Sequence, residues 1–403
     1  MPWVLIVSNL TIMTPTTRSS RNKLLIIQPY VPRYRSHFFR LLREAVAESG
    51  VELAVAAPRV TQSNRPRNDD VSDTVLDFRL EGRRILLGSR ELNFRRIRPV
   101  ILSFQPNFII LEQAIKNAEA WTLTLNRLGK RKPAVAFWGH GRSYSTPQSA
   151  AESELKQWLT RRASWFFSYT EAGAEYVIER GFPRNRTTVV RNSTDTKQLR
   201  ADLRALSPSD VDRFRVERNL VPGQTGVFLG GIDERKGIAL LLDVAKKVAQ
   251  EIPAFKLLVG GDGELAGFVK DRQRSGEPIE YLGRLDGHEK ALALSASDLA
   301  LIPEWVGLVA VDALTAGVPI VTTHHHSHAP EIEYLVQGET VTFAAHSAWD
   351  MAREVTQLLR DSRRLERMQH NCLGASESFS IENMVGNFVN GINLWRSTSV
   401  FAS

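Results

Sequence analysis

A single cysteine, Cys372, is all the thiol that the 403 residues carry. No disulfide can form within the chain, and a reducing compartment suits it. Cys372 follows His370 and Asn371 at the end of a helix-like run without an evident base or metal partner, and reads as structural. Long apolar runs are missing too. Nowhere do roughly 18 apolar residues follow one another, so no transmembrane helix is expected. The start of the chain holds only Val4–Val7 before a polar Ser-Asn pair, and lacks the basic segment and long apolar core of a signal peptide. Residues 1–22 read as a disordered leader, with Met13 as a rival start. Zinc-finger and RNP-like motifs are absent, so the net charge of +8 alone does not indicate nucleic acid.

The charge that is present is unevenly divided. Residues 1–200 carry 32 Lys/Arg against 17 Asp/Glu, whereas residues 201–403 carry 20 against 27. The two halves are therefore expected to face different partners. The length exceeds the roughly 250–300 residues at which single cores stop growing, so two domains are expected. Short apolar runs recur at Leu24–Ile27, Val51–Ala57, Phe108–Leu111, Ala134–Trp138 and Trp165–Ser168, then at Gly226–Gly230, Lys256–Val259, Leu299–Ile302 and Pro319–Thr322. Amphipathic stretches such as Ser36–Ser49 and Ile238–Gln250 lie between them. Buried strands alternating with helices predict an α/β fold with two doubly wound domains. Ser207-Pro208-Ser209-Asp210 and Pro222-Gly223 suggest a boundary between Asp195 and Thr225, with a short helix near Val211–Leu220. The expected divisions are a domain over 23–197, a linker over 198–224, a domain over 225–378 and a terminal helix over 379–403.

The sharpest chemical signal runs from Ile302 through Glu304 and Gly307 to Asp312 and Gly317-Val318-Pro319. It reads strand, loop, helix and next strand. A helix starting near Gly307 presents the backbone N–H groups of Gly307, Leu308 and Val309 and the positive end of its dipole, a phosphate site that needs no side chain. Asp312, a turn into the helix, is placed to chelate vicinal ribose hydroxyls, and Glu304 lies near whatever the phosphates carry. The bland alternative makes Glu304 a solvated loop carboxylate and Asp312 a surface residue. Upstream, Phe228-Leu229-Gly230-Gly231-Ile232-Asp233-Glu234-Arg235-Lys236-Gly237 ends a strand in glycine and places Lys236 just beyond it, where a flexible ammonium suits a diphosphate.

Together these segments resemble family 4 of the retaining glycosyltransferases, a family of GT-B architecture: two Rossmann-like domains facing across a cleft. Glu304 matches the first residue of the family's acidic pair, and Asp312 stands where a second Glu is usual. Gly231 stands where the family usually has Arg, a role that Arg235 could take over. Val259-Gly260-Gly261-Asp262-Gly263-Glu264 resembles the glycine turn beside the donor, with Gly261 and Gly263 at its core. Glu280-Tyr281-Leu282-Gly283-Arg284 resembles the strand along the nucleotide base, where Tyr281 or Arg284 could pack on the base, Tyr281 being equally plausible as core. His140, between Gly139 and Gly141 at a strand end, matches a histidine contacting the transferred sugar. Arg191-Asn192-Ser193-Thr194-Asp195 resembles a hinge-supporting segment. The usual glycine-rich loop after the first strand is replaced by Gln28–Arg35, where Arg33 or Arg35 could supply the contact.

Four histidines in Thr322–Glu331 invite a metal reading, but neighbouring residues of an extended loop point apart and no Cys/Asp cluster completes a site. No metal is expected. The resemblance instead implies a sugar-pocket loop with His328 and Glu331. It further implies transfer of a sugar from a nucleotide-sugar donor, with retention and without a cofactor, to a polysaccharide, lipid-linked glycan or glycolipid. Glu304, His140 and Lys236 are then the catalytic candidates. A nucleotide-sugar epimerase, a glycan phosphorylase and a non-catalytic nucleotide-sugar-binding subunit are the rivals. Three basic and aromatic clusters, at Arg33–Arg43, Phe94–Arg98 and Arg127–Lys132, suggest a cytoplasmic enzyme attached to an anionic membrane surface, or else a solvated basic face.

Overall fold

The structure is a computed structural model and describes residues 22–58, 74–87, 90–125, 133–144, 149–326 and 328–400. The expected leader, apart from Asn22, lies outside these residues, as do Arg127, Lys130, Arg131, Lys132 and Ser327.

Among the described residues, nine strands belong to the first half: β1 Asn22–Ile27, β2 Val51–Pro58, β3 Phe78–Leu80, β4 Gly82–Leu87, β5 Arg90–Arg95, β6 Phe108–Glu112, β7 Ala134–Gly139, β8 Trp165–Ser168 and β9 Thr187–Val189. Seven form a parallel sheet in the order β3-β2-β1-β6-β7-β8-β9. The other two, β4 and β5, pair antiparallel as a separate hairpin. The second half supplies β10 Thr225–Leu229, β11 Lys256–Gly260, β12 Ile279–Gly283, β13 Leu299–Leu301, β14 Ile320–Thr323 and β15 Val341–Ala344. They form a parallel sheet in the order β12-β11-β10-β13-β14-β15. Each sheet is buried on both faces, which is why its strands read as continuous Val, Ile, Leu and Phe runs. The two Rossmann-like sheets with flanking helices have the GT-B architecture expected.

In the second sheet the strand order reverses between β10 and β13. Loops leaving the carboxyl ends of strands at such a switch point diverge and open a crevice. The loops after β10 and β13 are the two that hold Lys236 and Glu304.

One sequence reading needs correction, that Ser207-Pro208 would interrupt regular structure. Ser207 and Asp210 form a reciprocal capping box with Pro208 in the first turn of the helix Pro208–Glu217. Together with the helix Thr196–Ala205, capped by Asp195, it makes the stretch between the sheets largely helical. Both helices bury apolar residues, Leu199 and Phe214, against the second sheet.

The helix Ile381–Val400 crosses back to the first sheet. Phe388 stacks on Phe167 at 5.0 Å and lies edge-on to Trp138 at 4.8 Å. Trp395 packs against Phe108, and its indole N–H donates to Ser164 Oγ at 2.9 Å. Gly391 is required there, because a Cβ would sit 2.6 Å from Thr188 Oγ1 and 2.7 Å from the Phe167 ring.

Candidate active site

The loop after β10 folds into a single turn over Glu234–Lys236, capped by the Asp233 carboxylate on Arg235 N. Gly237 closes it at φ +65°, in the left-handed region that glycine enters without strain. A Cβ on Gly237 would lie 3.0 Å from the Glu304 carboxyl carbon, so the glycine is also what lets the two loops touch. Lys236 Nζ donates to Trp305 O at 2.9 Å. Lys236 and Glu304 thus meet at the switch point although 68 residues separate them in the chain. Arg235 is half-exposed, ion-paired with Asp233 at 2.8 Å and 5.7 Å from the Trp305 ring.

Trp305 adopts φ +50°, a left-handed conformation that costs a residue with a Cβ of order 1 kcal/mol or more. The loop is held there from below. His328 Nδ1 accepts from Val306 N at 3.1 Å, and its Nε2 lies 2.8 Å from Thr323 O. One nitrogen must therefore be bare and the other protonated, a neutral tautomer. Burial lowers its pKa in the same sense. His328 is accordingly a brace under the Glu304 loop, with both nitrogens engaged inside the protein. Beyond this loop the helix Val309–Ala316 begins. Its first bonds run from Ala310 N to Gly307 O and from Val311 N to Leu308 O. The N–H groups of Gly307, Leu308 and Val309 precede that ladder, as an anion site at a helix start requires.

Asp312 is committed to protein partners. Its Oδ1 accepts from Thr194 Oγ1 at 2.8 Å and its Oδ2 pairs with Lys290 Nζ at 3.1 Å. Glu331 is buried and accepts from Asn192 Nδ2 at 2.6 Å, while Asn192 Oδ1 accepts from Arg35 Nη2 at 2.6 Å. Burial pushes the Glu331 carboxyl above the usual range. Tyr334 adds bonds from its hydroxyl to the carbonyls of Tyr169 and Asn192, both 3.2 Å. Arg35–Asn192–Glu331 is therefore a buried relay joining the first sheet's loops to the second's. Glu331, expected as a pocket residue, is its terminal member.

Gly261 and Gly263 serve close backbone packing. A Cβ on Gly261 would fall 1.8 Å from Gly230 O, and one on Gly263 2.4 Å from Ile232 O. Their absence of side chains lets the loops after β10 and β11 bond directly, Ile232 N to Asp262 O and Leu265 N to Ile232 O. Tyr281 hydroxyl donates to Gly261 O at 3.1 Å, tying the same turn to β12. Arg284 is exposed just beyond β12. In the first sheet His140 follows β7, its ring 4.2 Å from that of Tyr169. Gly141 beside it is at φ +73° and packs on Gly173, whose carbonyl a Cβ would strike at 2.4 Å.

Sequence reading missed His346 and the partnership of His325. His346 Nε2 lies 2.8 Å from Glu304 Oε1, and His325 Nε2 is 3.9 Å from Oε2. The signal was topological: Glu304, His325 and His346 each lie two or three residues past the ends of β13, β14 and β15, which are adjacent and parallel. Arg35 was noticed as a surface candidate but is buried, its guanidinium 4.9 Å from the Trp138 ring.

Residues 214–372 match the family described as glycosyl transferases group 1, and residues 36–193 match the glycosyl transferase 4-like domain. This chain belongs to the group 1, family 4-like glycosyltransferases. The phosphatidyl-myo-inositol mannosyltransferase of Mycobacterium tuberculosis is 36% identical over 123 residues, 28% of this chain and 32% of that one. The glycogen synthase of the same organism is 26% identical over 221 residues, 53% and 50% of the two chains. The chain thus spans between a third and a half of the length of these curated relatives. Among solved structures, Anabaena HepE in complex with UDP-glucose superposes with a TM-score of 0.63 at 16% identity, covering 94% of this chain and 99% of that one. At that identity the likeness establishes the fold.

Proposed function

We propose that this group 1 glycosyltransferase moves a hexosyl group from a nucleotide-sugar donor to a glycan or lipid-linked acceptor, with retention and without a metal cofactor. The observation that carries the reading is the meeting of Lys236, Glu304 and the helix start at Gly307–Val309 at the β10/β13 switch point. A nucleoside diphosphate leaves with heavy negative charge. An ammonium and oriented backbone N–H groups, fixed in place beforehand, stabilise that charge in the transition state. Glu304 borders the position of the sugar, and His140 faces it from the opposite wall. Arg235, Asp312, Tyr281 and Arg284 would frame the nucleotide. Asp312 would exchange its Thr194 and Lys290 contacts for ribose hydroxyls. The mannosyltransferase and glycogen synthase relatives favour a hexose, and the UDP-glucose bound to HepE favours a nucleotide-sugar donor.

The test is a thermal-shift screen of nucleotide sugars, followed by turnover with the best donor. A ligand of the folded state raises Tm by mass action. Donor binding without turnover against any acceptor class would favour a non-catalytic nucleotide-sugar-binding subunit instead.

An anionic membrane surface is the proposed location of the acceptor. No helix of the described residues is long and apolar enough to cross a membrane. The support comes from the β4–β5 hairpin and the helix after it, which expose Ile85, Leu86, Phe94 and Leu102 beside Arg83, Arg84, Arg96 and Arg98. The Arg33–Arg43 cluster contributes less than its sequence suggests: Phe38 and Phe39 are core, Arg35 is buried, and Arg43 pairs with Asp77 at 2.6 Å. Within the second cluster Arg95 is likewise withdrawn, bonded to buried Glu119 at 2.6 Å. Co-sedimentation with anionic vesicles should occur at low salt and fall at high salt. No binding at either salt would leave the hairpin a solvated basic face.

A further inference from the structure

We infer that Glu304, His325 and His346 form a binding site for a divalent transition-metal ion of the zinc class, and that its occupation switches the proposed transferase off. Their ligating atoms all lie within 4.8 Å of one another. Two imidazoles and a carboxylate are a ligand set that zinc and cobalt accept, with a further position left for water. The nitrogens that would bind already face the carboxylate: His346 Nε2 at 2.8 Å and His325 Nε2 at 3.9 Å. A tetrahedral ion with bonds of about 2.0–2.1 Å needs its ligand atoms about 3.3 Å apart. Closing the longest separation takes a shift of about 1.5 Å, within reach of a side-chain rotation by His346. His346 is the most exposed of the three, at 41%, against 17% for His325 and 18% for Glu304. The two imidazole rings already lie 4.7 Å apart and inclined by only 31°.

The three residues come from three consecutive parallel strands, β13, β14 and β15, at their carboxyl ends. Gly237 lies beside Glu304, close enough that an added Cβ would come within 3.0 Å of its carboxyl group. The site is therefore built by the sheet, and not by the run of adjacent histidines His324–His326. Within that run His324 is stacked on Phe343 at 5.0 Å, and His326 lies against the His325 ring.

The consequence for turnover rests on the proposed role of Glu304. A carboxylate bonded to a dication cannot also meet the sugar, and the ion's charge alters the field at the anomeric carbon. Metal-free protein is then the active form, and zinc an inhibitor acting at the donor pocket.

Titration of the chelator-treated full chain with zinc chloride by calorimetry should give one tight site. Cobalt chloride should give d–d absorption of four- or five-coordinate geometry. His346→Ala and His325→Ala should each weaken zinc binding by about 10²-fold, since loss of a supporting group alone already costs 10–100-fold. His326→Ala should leave it unchanged. Binding that survives His346→Ala but is lost in His326→Ala would assign the ion to the histidine run and overturn the site. Absence of any stoichiometric binding would overturn it as well. Turnover, measured for each variant relative to its own metal-free rate, should be inhibited by zinc in the wild type and resistant in His346→Ala. One-site binding without inhibition would keep the metal site and remove Glu304 from the proposed chemistry.

Discussion

Asn192 is the residue whose loss should reveal how firmly the two sheets are coupled. Its side chain is used twice, accepting from Arg35 and donating to Glu331, both at 2.6 Å, and it is 3% exposed. Asn192→Ala removes both bonds at once and leaves a buried guanidinium and a buried carboxyl without that partner. Each buried polar group so abandoned costs about 1–3 kcal/mol, with charged groups at the upper end. Arg35 keeps its place over the Trp138 ring, which offsets part of the loss. The expected destabilisation is about 3–5 kcal/mol, read as a lowered urea midpoint in tryptophan fluorescence.

Glu331→Gln supplies the control. Burial raises the Glu331 pKa, so the folded state binds the proton more tightly than the unfolded one. Stability tied to this group is present below the ordinary carboxyl pKa and is lost as pH rises through the raised one. The amide removes that loss, and Glu331→Gln should be tolerated at neutral pH. In its background Asn192→Ala should cost less, because a neutral amide is cheaper to leave unpaired. A cost below about 1 kcal/mol for Asn192→Ala, additive with Glu331→Gln to within about 0.5 kcal/mol, would refute the relay.

Three further outcomes are expected. Lys236→Ala should lower turnover by about 10²-fold or more with the fold intact, as for loss of one transition-state donor; near-wild-type rates with the best donor would remove Lys236 from the site. Glu304→Gln should reduce kcat more than donor affinity, whereas Asp312→Asn should raise the donor Kd; equal small effects in both would erase the distinction. Lys156 is buried and its pKa is pushed down to about 8, so stability rises with pH between about 8 and the ordinary 10.5 and is lowest below that window. That deficit is worth about 3 kcal/mol, so Lys156→Met should raise the urea midpoint at pH 7 and change it little at pH 10.

The sheets were legible because a strand buried on both faces writes itself as an uninterrupted apolar run, as in Leu24–Ile27 and Leu257–Val259. Lys236, Glu304 and the helix start were legible because glycines and strand ends punctuate the local sequence. The hairpin was not, since Gly82–Leu87 and Arg90–Arg95 carry the charge of a surface ribbon without strict alternation. Ser207-Pro208 was misread because the residues that begin a helix are also those that break one. The partners of Asp312, Glu331 and Glu304 were out of reach for another reason. Thr194, Asn192 and His346 lie 118, 139 and 42 residues away; the first two reach Asp312 and Glu331 only where loops of the two sheets meet, and His346 reaches Glu304 only because β13, β14 and β15 lie side by side. Cys372 is buried, as a structural residue would be, and that burial pushes its thiol pKa up to about 12.

The return of helix Ile381–Val400 to the first sheet bears on the order in which a ribosome can deliver this protein. Val190 belongs to the same apolar core as Phe388 and Trp395. About 200 residues must be added between the first of these and the last two, which takes on the order of 10–40 s at 5–20 residues per second. Throughout that interval the rings of Phe38, Trp138 and Phe167 lack the helix that covers them. The half made first is therefore completed last. A fragment ending near residue 195 would emerge with an open aromatic face, and a nascent chain is exposed to association through that face until helix Ile381–Val400 arrives.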